Sequence, residues 1–168
     1  MNRRWALVFL LLLSAPTGAD MRAAQRFLDA FYRFDRDAIV ELVSVEAGRA
    51  NALYYLGWAR AANYQVHTRW PCVADGAEVK CAVTVTDDFG AALGYLATDT
   101  FSFELRDGAI ASVAFEGDDP PLFDALLGWI QAHQPEAFAG PCKDAFAGGA
   151  TPGECARTVV RAARRFAR

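Results

Sequence analysis

Several features are scarce or missing in this sequence of 168 residues, and each absence narrows the range of functions. No basic stripe runs through its body. Beyond the first nineteen residues, 15 basic side chains stand against 20 acidic ones, because Arg3 and Arg4 account for two of the 17. Nucleic-acid binding gains most of its affinity from neutralising phosphates, so we expect no nucleic-acid partner. No low-complexity tract or internal repeat is present and 54% of residues are hydrophobic, which predicts one folded domain.

Motifs for metals and cofactors are also missing. The four cysteines include no Cys-x-x-Cys spacing, and neither histidine stands at zinc-ligand spacing from them. The adjacent pair Asp118 and Asp119 falls short of an oxygen cage for calcium, and with two prolines following it is predicted to cap a helix. The stretch 87–90, Asp-Asp-Phe-Gly, lacks every other kinase element and is predicted to be a loop between strands. We expect no metal and no cofactor.

The N-terminus has the pattern of a secretory signal peptide. A basic head at residues 2–4, an apolar run at 5–13 and small residues at 17–19 predict cleavage after Ala19 and a mature chain that starts at Asp20. The alternative is an uncleaved membrane anchor, but the run is well short of the ~20 residues that cross a bilayer. We therefore expect a secreted or periplasmic protein, with residues 20–168 as a single domain and no membrane span after cleavage.

Four cysteines in an exported protein indicate two disulfides. In the stretch from Cys72 to Cys81, a two-residue loop at Gly76-Ala77 brings the two cysteines opposite each other, on a close, non-hydrogen-bonded pair. Glycine at the first loop position suits a type II′ turn. This register predicts a bridge between Cys72 and Cys81, which leaves Cys142 to pair with Cys155.

Periodicity predicts helices first and strands afterwards. Apolar residues at helical spacing indicate helices over about 21–33, a short second helix capped near Asp35 or Asp37, and a third over about 47–63. Period-two alternation then indicates four antiparallel strands, the last two joined at Asp107-Gly108. Two C-terminal helices follow, the second starting at Thr151-Pro152-Gly-Glu with a capping box. Helices on one side of an antiparallel sheet define an α+β fold.

The final hairpin, GYLATDTFSFELRDGAIASVAFEG, completes a recognisable order of elements. Three N-terminal helices followed by this meander resemble the nuclear transport factor 2-like superfamily, also called SnoaL-like, over about residues 21–117. The resemblance implies a cone-like curved sheet packed against helices around an apolar pocket. Residues 118–168 depart from the minimal family domain and are predicted to form an added, disulfide-tied helical cap.

Family members include isomerases, dehydratases and epoxide hydrolases, as well as binding and structural modules. The enzymatic members place Tyr, Asp or His inside the cone to move protons. The candidates for that role here are Tyr54, Tyr55, Trp58, His67, Asp87, Asp88 and Asp99, with His67 and Asp99 as the catalytic candidates of the predicted site. None of them stands in a motif that transfers from an enzymatic branch.

His67 shares a predicted strand face with Gln65 and Arg69. If that face turns into the cone, it offers a base, an amide and a cation in one row; if it turns outward, it is an ordinary solvated face. Trp70 and Cys72 lie on the other, apolar side, which favours the outward alternative.

Tyr54, Tyr55 and Trp58 lie at helical spacing. They are interpreted either as core packing or, with His67, as the wall of a ligand pocket. The sequence therefore predicts an exported module that binds a small hydrophobic ligand or has a structural role. The alternatives are a cofactor-free isomerase, dehydratase or hydrolase, and an envelope interaction module that dimerises through its sheet face.

Overall fold

The structure is a computed structural model that describes residues 15–145 and 152–168. The predicted basic head and apolar run at residues 2–13 lie outside the described residues. So do Gly148, Gly149 and the predicted helix cap Thr151. Within the described residues, no helix is both long enough and apolar enough to span a bilayer.

Three helices come first, as the periodicity predicts. Helix α1 spans Gly18–Tyr32, α2 spans Arg36–Leu42 and α3 spans Glu46–Ala61. Helix α1 begins three residues earlier than expected, because Thr17 and Asp20 form a reciprocal capping box at its N-terminus. Asp35 caps α2 by accepting a hydrogen bond from the backbone of Ala38, which is one of the two caps that the sequence offers.

A curved antiparallel sheet packs against these helices, so the α+β fold is confirmed. Its strands are β1 Gln65–Arg69, β2 Val73–Asp75, β3 Glu78–Thr86, β4 Ala97–Arg106 and β5 Ala109–Gly117. The hydrogen-bonded order is β1-β3-β4-β5, and the short β2 also pairs with β3. The sheet thus has five strands rather than the four expected. The strand conformation is interrupted at residues 70–72, so β3 pairs along one edge with β1 and then with β2.

The hairpin of β2 and β3 has the predicted register. Asp75 pairs with Glu78 and Val73 with Lys80, and Cys72 is bridged to Cys81. Gly76 has a φ of 61° while Ala77 keeps a negative φ, which is the pattern of a type II′ loop. The second predicted bridge, Cys142 to Cys155, is present too.

A bulge in β1 overturns the predicted faces of that strand. Val66 pairs with Val85, but Thr68 pairs with Thr84, so His67 is the extra residue of the bulge. The expected common face of Gln65, His67 and Arg69 is therefore wrong. Arg69 pairs with buried Val83 and lies on the helix-facing side, whereas Gln65 pairs with Thr86 on the opposite side.

The residues on the predicted apolar face of β1 are not buried either. Val66 is 40% exposed and Trp70 is 55% exposed. The Trp70 indole donates a hydrogen bond to the Thr84 hydroxyl on the outer face of the sheet. The physical reason is that β1 is an edge strand, so neither of its faces is fully covered by the helices.

The stretch 87–90 is the start of a helix and not the predicted loop. Helix α4 spans Asp88–Leu93 in the connection between β3 and β4. The Asp87 carboxylate caps it, accepting a hydrogen bond of 2.6 Å from the backbone N–H of Gly90. Gly94, with a φ of 79°, ends it in the left-handed conformation that glycine adopts readily.

Three helices follow the sheet: α5 Pro121–His133, the single-turn α6 Glu136–Ala139 and α7 Pro152–Phe166. Asp118 and Asp119 do not cap α5, whose N-cap residue is Pro120 and has no side-chain cap bond. Asp118 instead accepts the backbone N–H of Thr98, and Asp119 accepts the Tyr95 hydroxyl. The two aspartates thus brace the end of β5 against β4 and the loop before it.

Two apolar clusters share α3. The first cluster fills the space between α1, α2, α3 and the inner face of the sheet, with Phe27, Phe31, Phe101 and Phe103 at its centre. The second lies among α4, α5 and α7 on the other side of α3, around Trp58, Phe89, Leu126 and Val159. Helix α7 is amphipathic, and its buried residues are Cys155, Ala156, Thr158, Val159, Val160, Ala162 and Ala163. Its packing is therefore extensive for a segment predicted as an added cap.

Candidate functional site

A cavity of about 270 Å³ lies where α3, α4, β5 and the start of α5 meet. Seven of its nine lining residues are aromatic, and the other two are a glycine and an aspartate. The lining residues are Tyr54, Tyr55, Trp58, Tyr64, Phe89, Phe115, Gly117, Asp119 and Phe123. We call this feature the aromatic cavity. An apolar, concave wall with few polar groups is typical of small-molecule sites.

Three of the four pocket candidates named from the sequence lie in this wall. Tyr54, Tyr55 and Trp58 stand on one face of α3 and line the cavity. They also pack as core residues do: Tyr55 stacks on Phe115 with ring centroids 4.5 Å apart, and Trp58 is 6% exposed. The two interpretations offered for these aromatics are thus compatible, because the cavity lies at the edge of the core.

His67 is not part of the aromatic cavity. It lies at the bulge of the edge strand β1 and is exposed. Its predicted neighbour Arg69 lies on the helix-facing side of the sheet and forms an ion pair with Asp29 of α1. The guanidinium carbon of Arg69 is 5.7 Å from the centre of the Tyr32 ring. The row of a base, an amide and a cation expected on β1 is therefore not assembled.

Asp99 lies buried just behind the cavity wall, with 2% of its surface exposed. Its Oδ2 accepts a hydrogen bond of 2.9 Å from the Tyr32 hydroxyl. Burial is the main cause that raises the pKa of Asp99 to about 8, and the charges of Asp119, Asp87 and Asp118 add to it while the Tyr32 hydrogen bond opposes it. Asp99 is thus a carboxyl group that can hold a proton near neutral pH.

Asp87 is the second buried carboxyl, with 7% of its surface exposed. Burial raises the pKa of Asp87 to about 7, the hydrogen bond from Gly90 opposes the shift, and the charge of Asp119 adds to it. Asp88 points elsewhere: it pairs with Arg164 at 3.2 Å and accepts from Asn63 at 3.0 Å, tying α4 to α7 and α3. Asp88 is therefore a structural link and Asp87 a member of the buried acidic group.

Asp119, which is exposed, lies beside these two buried carboxyls at the edge of the cavity. A side-chain Cβ built on Gly117 would lie 3.2 Å from Asp119 Oδ2 and 3.9 Å from Asp99 Oδ1. Gly117 pairs with Asp99 across β4 and β5, so both face the helix side of the sheet. Two carboxylates on different elements thus converge on one point of the cavity wall.

Tyr64 joins the acidic group to the aromatic wall. It precedes β1, lines the cavity and packs against both apolar clusters. Burial, followed by the charges of Asp99, Asp87 and Asp119, raises the pKa of Tyr64 well above its usual value. Its phenol therefore stays protonated and can donate a hydrogen bond at the polar end of the cavity.

The acidic group is not arranged as a metal centre. Among residues 15–145 and 152–168, no three His, Cys, Asp or Glu side chains come together closely enough to hold an ion. The cavity wall also offers phenyl, phenol and indole rings in place of the oxygen shell that a hard cation requires.

Sequence reasoning missed part of the site. Tyr64, Phe89, Phe115, Gly117, Asp119 and Phe123 were not named as pocket residues, although they supply most of the wall. Asp99 carries a readable signal, because it shares strand parity with Phe101 and Phe103, so an acid is placed on the apolar face. Asp119 carries no such signal, since it lies in a loop and meets Asp99 only through the pairing of β4 with β5.

No protein-family model matches the chain, and no curated protein is significantly similar to it in sequence.

Proposed function

We propose that this protein is an exported module that binds a small, largely apolar cyclic molecule in the aromatic cavity. The observation that carries the proposal is the cavity itself, with seven aromatic residues in its wall and the carboxylate of Asp119 at its edge. Such a wall buries a ring by apolar contact and stacking, and the polar end fixes the orientation of one substituent. A volume of about 270 Å³ suits a ligand of one or two rings.

Export is supported by the N-terminal sequence pattern and by the two disulfides. Bridges such as Cys72 to Cys81 and Cys142 to Cys155 are typical of an oxidising, extracellular environment. Membership of the nuclear transport factor 2-like superfamily remains part of the proposal. It is supported by three helices followed by a curved antiparallel sheet, with a cavity where α3 and β5 meet α4 and α5.

Saturation-transfer NMR tests the binding proposal with a set of neutral cyclic fragments such as indole, 4-methylphenol and cyclohexanol. Gly117→Leu is the blocking variant, because its side chain would grow into the cavity wall and against Asp119. Gly128→Leu is the matched control, since a Cβ there meets nothing within 4 Å. We expect the wild type and the control to transfer saturation to the fragments, and Gly117→Leu to lose this transfer. No transfer from the wild type, or equal transfer from all three proteins, contradicts the proposal.

A second candidate function is cofactor-free proton transfer, as in an isomerase or dehydratase. It is favoured by Asp99, whose pKa of about 8 suits a general acid or base and whose Oδ1 lies close to the Gly117 wall. The test uses a ligand identified by native mass spectrometry of the purified protein. In D₂O, catalysis predicts deuterium incorporation at an acidic C–H of that ligand, and Asp99→Asn should abolish it. A ligand that binds without exchange would leave only the binding function.

A homodimer through the sheet face remains a prediction. The outer face of the sheet presents Thr84, Thr98, Thr100, Ser102 and Ala114, which are small and mostly polar, with the exposed apolar side chains of Trp70 and Val73 towards one edge. An interaction module would present a broad apolar face, and these two side chains cover only a part of this one. The cavity therefore supports the binding function better than it supports an assembly role.

A further inference from the structure

The aromatic cavity combines two features that a neutral ligand does not require. Its wall carries seven aromatic side chains, and the one charged group in that wall is the carboxylate of Asp119, with the buried carboxyls of Asp87 and Asp99 nearby. None of the nine lining residues is Lys, Arg or His. A site for a neutral ring needs the first feature but gains nothing from a concentration of carboxylates.

The carboxylates at this end have no cationic partner among the described residues. The ion pairs among the described residues join Arg69 to Asp29, Lys80 to Asp75, Arg106 to Glu104 and Arg164 to Asp88. None of them reaches Asp87, Asp99 or Asp119. Carboxylates without a cationic partner repel one another when they are ionised. A positive charge placed among them would relieve that repulsion.

The geometry places the acids and the rings at one location. Asp119 lies in the wall itself, and the point beside Gly117 is within 4 Å of oxygens from both Asp119 and Asp99. Phe115 lies two residues before Gly117 on β5, and its ring stacks on the ring of Tyr55 with the two ring centroids 4.5 Å apart. Aromatic walls attract cations through the electron density of their ring faces, most strongly where water is excluded.

We infer that the ligand of the aromatic cavity is a small organic cation, an amine or a quaternary ammonium compound, with its charged head beside Asp119 and Gly117. This inference rests on the proposed binding function and names the chemical class of its ligand. A metal cation is a poorer fit, because the wall offers one carboxylate and neutral phenols rather than a shell of charged oxygens, and the described residues hold no metal-ligand cluster.

The test uses a pair of probes with one shape and different charge. Choline and 3,3-dimethylbutan-1-ol differ by the exchange of a positively charged nitrogen for a carbon. Isothermal titration or ligand-observed NMR measures the dissociation constant of each for the full mature chain at pH 8. We expect choline to bind about tenfold or more tightly than the alcohol, the ratio that cation–π and carboxylate contacts together can supply.

Two variants separate charge from ring contact. Asp119→Asn keeps the size of the side chain and removes one charge, so it should weaken choline binding several-fold and leave the alcohol unchanged. Glu116→Gln removes one charge on the outer face of β5, opposite to the face of Gly117, and serves as the matched control, with no expected effect on either probe. Tyr55→Leu should weaken choline more than the alcohol. Circular dichroism establishes that each variant is folded.

The possible outcomes test the cationic ligand separately from the proposed binding function. Equal affinities for both probes, with binding still lost in Gly117→Leu, would overturn the cationic ligand and keep the apolar binding site. Binding of choline that falls equally in Asp119→Asn and Glu116→Gln would show attraction to net charge rather than to the cavity, and would also overturn the inference. No binding of either probe or of the neutral fragments would overturn both proposals.

Discussion

At the scale of single residues, Asp99 is a buried carboxyl group whose pKa is raised to about 8. It is almost fully buried, Tyr32 donates to it from α1, and Asp87, Asp118 and Asp119 face it with like charge. Arg69 lies over the Tyr32 ring and is paired with Asp29. The folded protein therefore holds the Asp99 proton to a higher pH than the unfolded chain does.

This difference predicts how stability depends on pH. An unfolded aspartate titrates near 3.8, whereas the pKa of folded Asp99 is about 8. Between these values the unfolded chain binds fewer protons, so the free energy of unfolding falls as pH rises and levels off above the folded pKa. Each unit of pKa difference corresponds to about 1.4 kcal/mol. Asp99→Asn removes the ionisation while keeping an oxygen that can accept from Tyr32.

We expect Asp99→Asn to match the wild type near pH 4 and to become more stable than it, by on the order of a few kcal/mol, at pH 9. Urea unfolding at pH 5, 7 and 9 measures this difference. Glu116→Gln, the loss of an exposed acid on the outer face, is the control and should show no such trend. A stability difference between Asp99→Asn and wild type that stays constant from pH 5 to 9 would contradict a raised pKa at Asp99.

At the scale of elements, α3 approaches β5 closely at Gly48. A Cβ built on Gly48 would lie 2.4 Å from the backbone oxygen of Ala111, which is closer than real contacts allow. Asn51, one turn along α3, donates to the backbone oxygen of Val113 on the same strand. Glycine at position 48 therefore sets the spacing that brings the aromatic face of α3 onto the sheet and towards the cavity.

Gly48→Ala should consequently lower the free energy of unfolding by about 1–3 kcal/mol, because α3 must move away from β5. Gly128→Ala is the matched control: its Cβ meets nothing within 4 Å, so the higher helix propensity of alanine should stabilise α5 by up to about 1 kcal/mol. Thermal denaturation followed by circular dichroism gives both values, at roughly 2–4 °C per kcal/mol for a chain of this size. Equal changes of one sign in the two variants would show that propensity alone acts at both positions.

The start of α1 bears on the predicted processing. Its capping box uses Thr17 and Asp20, and the helix includes Gly18 and Ala19. Cleavage after Ala19 would remove Thr17 and leave a new charged amino group at the first turn, which is unfavourable for the helix dipole. We still expect Asp20 as the mature N-terminus, since buried contacts of α1 begin at Ala23. N-terminal sequencing of exported protein tests it, and a chain that begins at Met1 would contradict the signal-peptide prediction.

At the scale of the whole molecule, two apolar clusters on either side of α3 raise the question of cooperativity. The Cys72 bridge to Cys81 belongs to the first cluster, and the Cys142 bridge to Cys155 belongs to the second. The latter spans 13 residues in sequence, and a loop of about this length contributes on the order of 3 kcal/mol in the chain-entropy model. Helix α7 also buries seven residues, so the bridge is not its only anchor.

Replacing Cys142 and Cys155 by serine should therefore weaken the second cluster selectively. Hydrogen exchange should accelerate in α5 and α7, while the amides of β4 and β5 keep most of their protection. The double replacement of Cys72 and Cys81 is the matched control and should show faster exchange at the hairpin of β2 and β3 instead. If the Cys142 and Cys155 variant lost protection in all elements together, the division into a core of residues 21–117 and a cap of 118–168 would be wrong.

The sequence by itself determined what depends on near neighbours along the chain. Helical spacing of apolar residues placed α1, α2 and α3. The two-residue loop Gly76-Ala77 set the register of the hairpin of β2 and β3 and, through it, the bridge of Cys72 to Cys81. The Asp107-Gly108 loop predicted the hairpin of β4 and β5 but not the register shift between Glu104 and Leu105. In each case the decisive interactions join residues a few positions apart, so a local pattern contains the information.

Only the tertiary structure decided which distant residues meet. Asp87, Asp99 and Asp119 converge because β3, β4 and β5 pair side by side, and no local pattern encodes that arrangement. The bulge at His67 reversed the faces of β1, since a single unpaired residue shifts every later side chain to the other face. The burial of α7 against α3 and α4 joins residues that lie far apart in the sequence. The aromatic cavity and its acidic end arise from these long-range contacts, which depend on the packing of the whole chain.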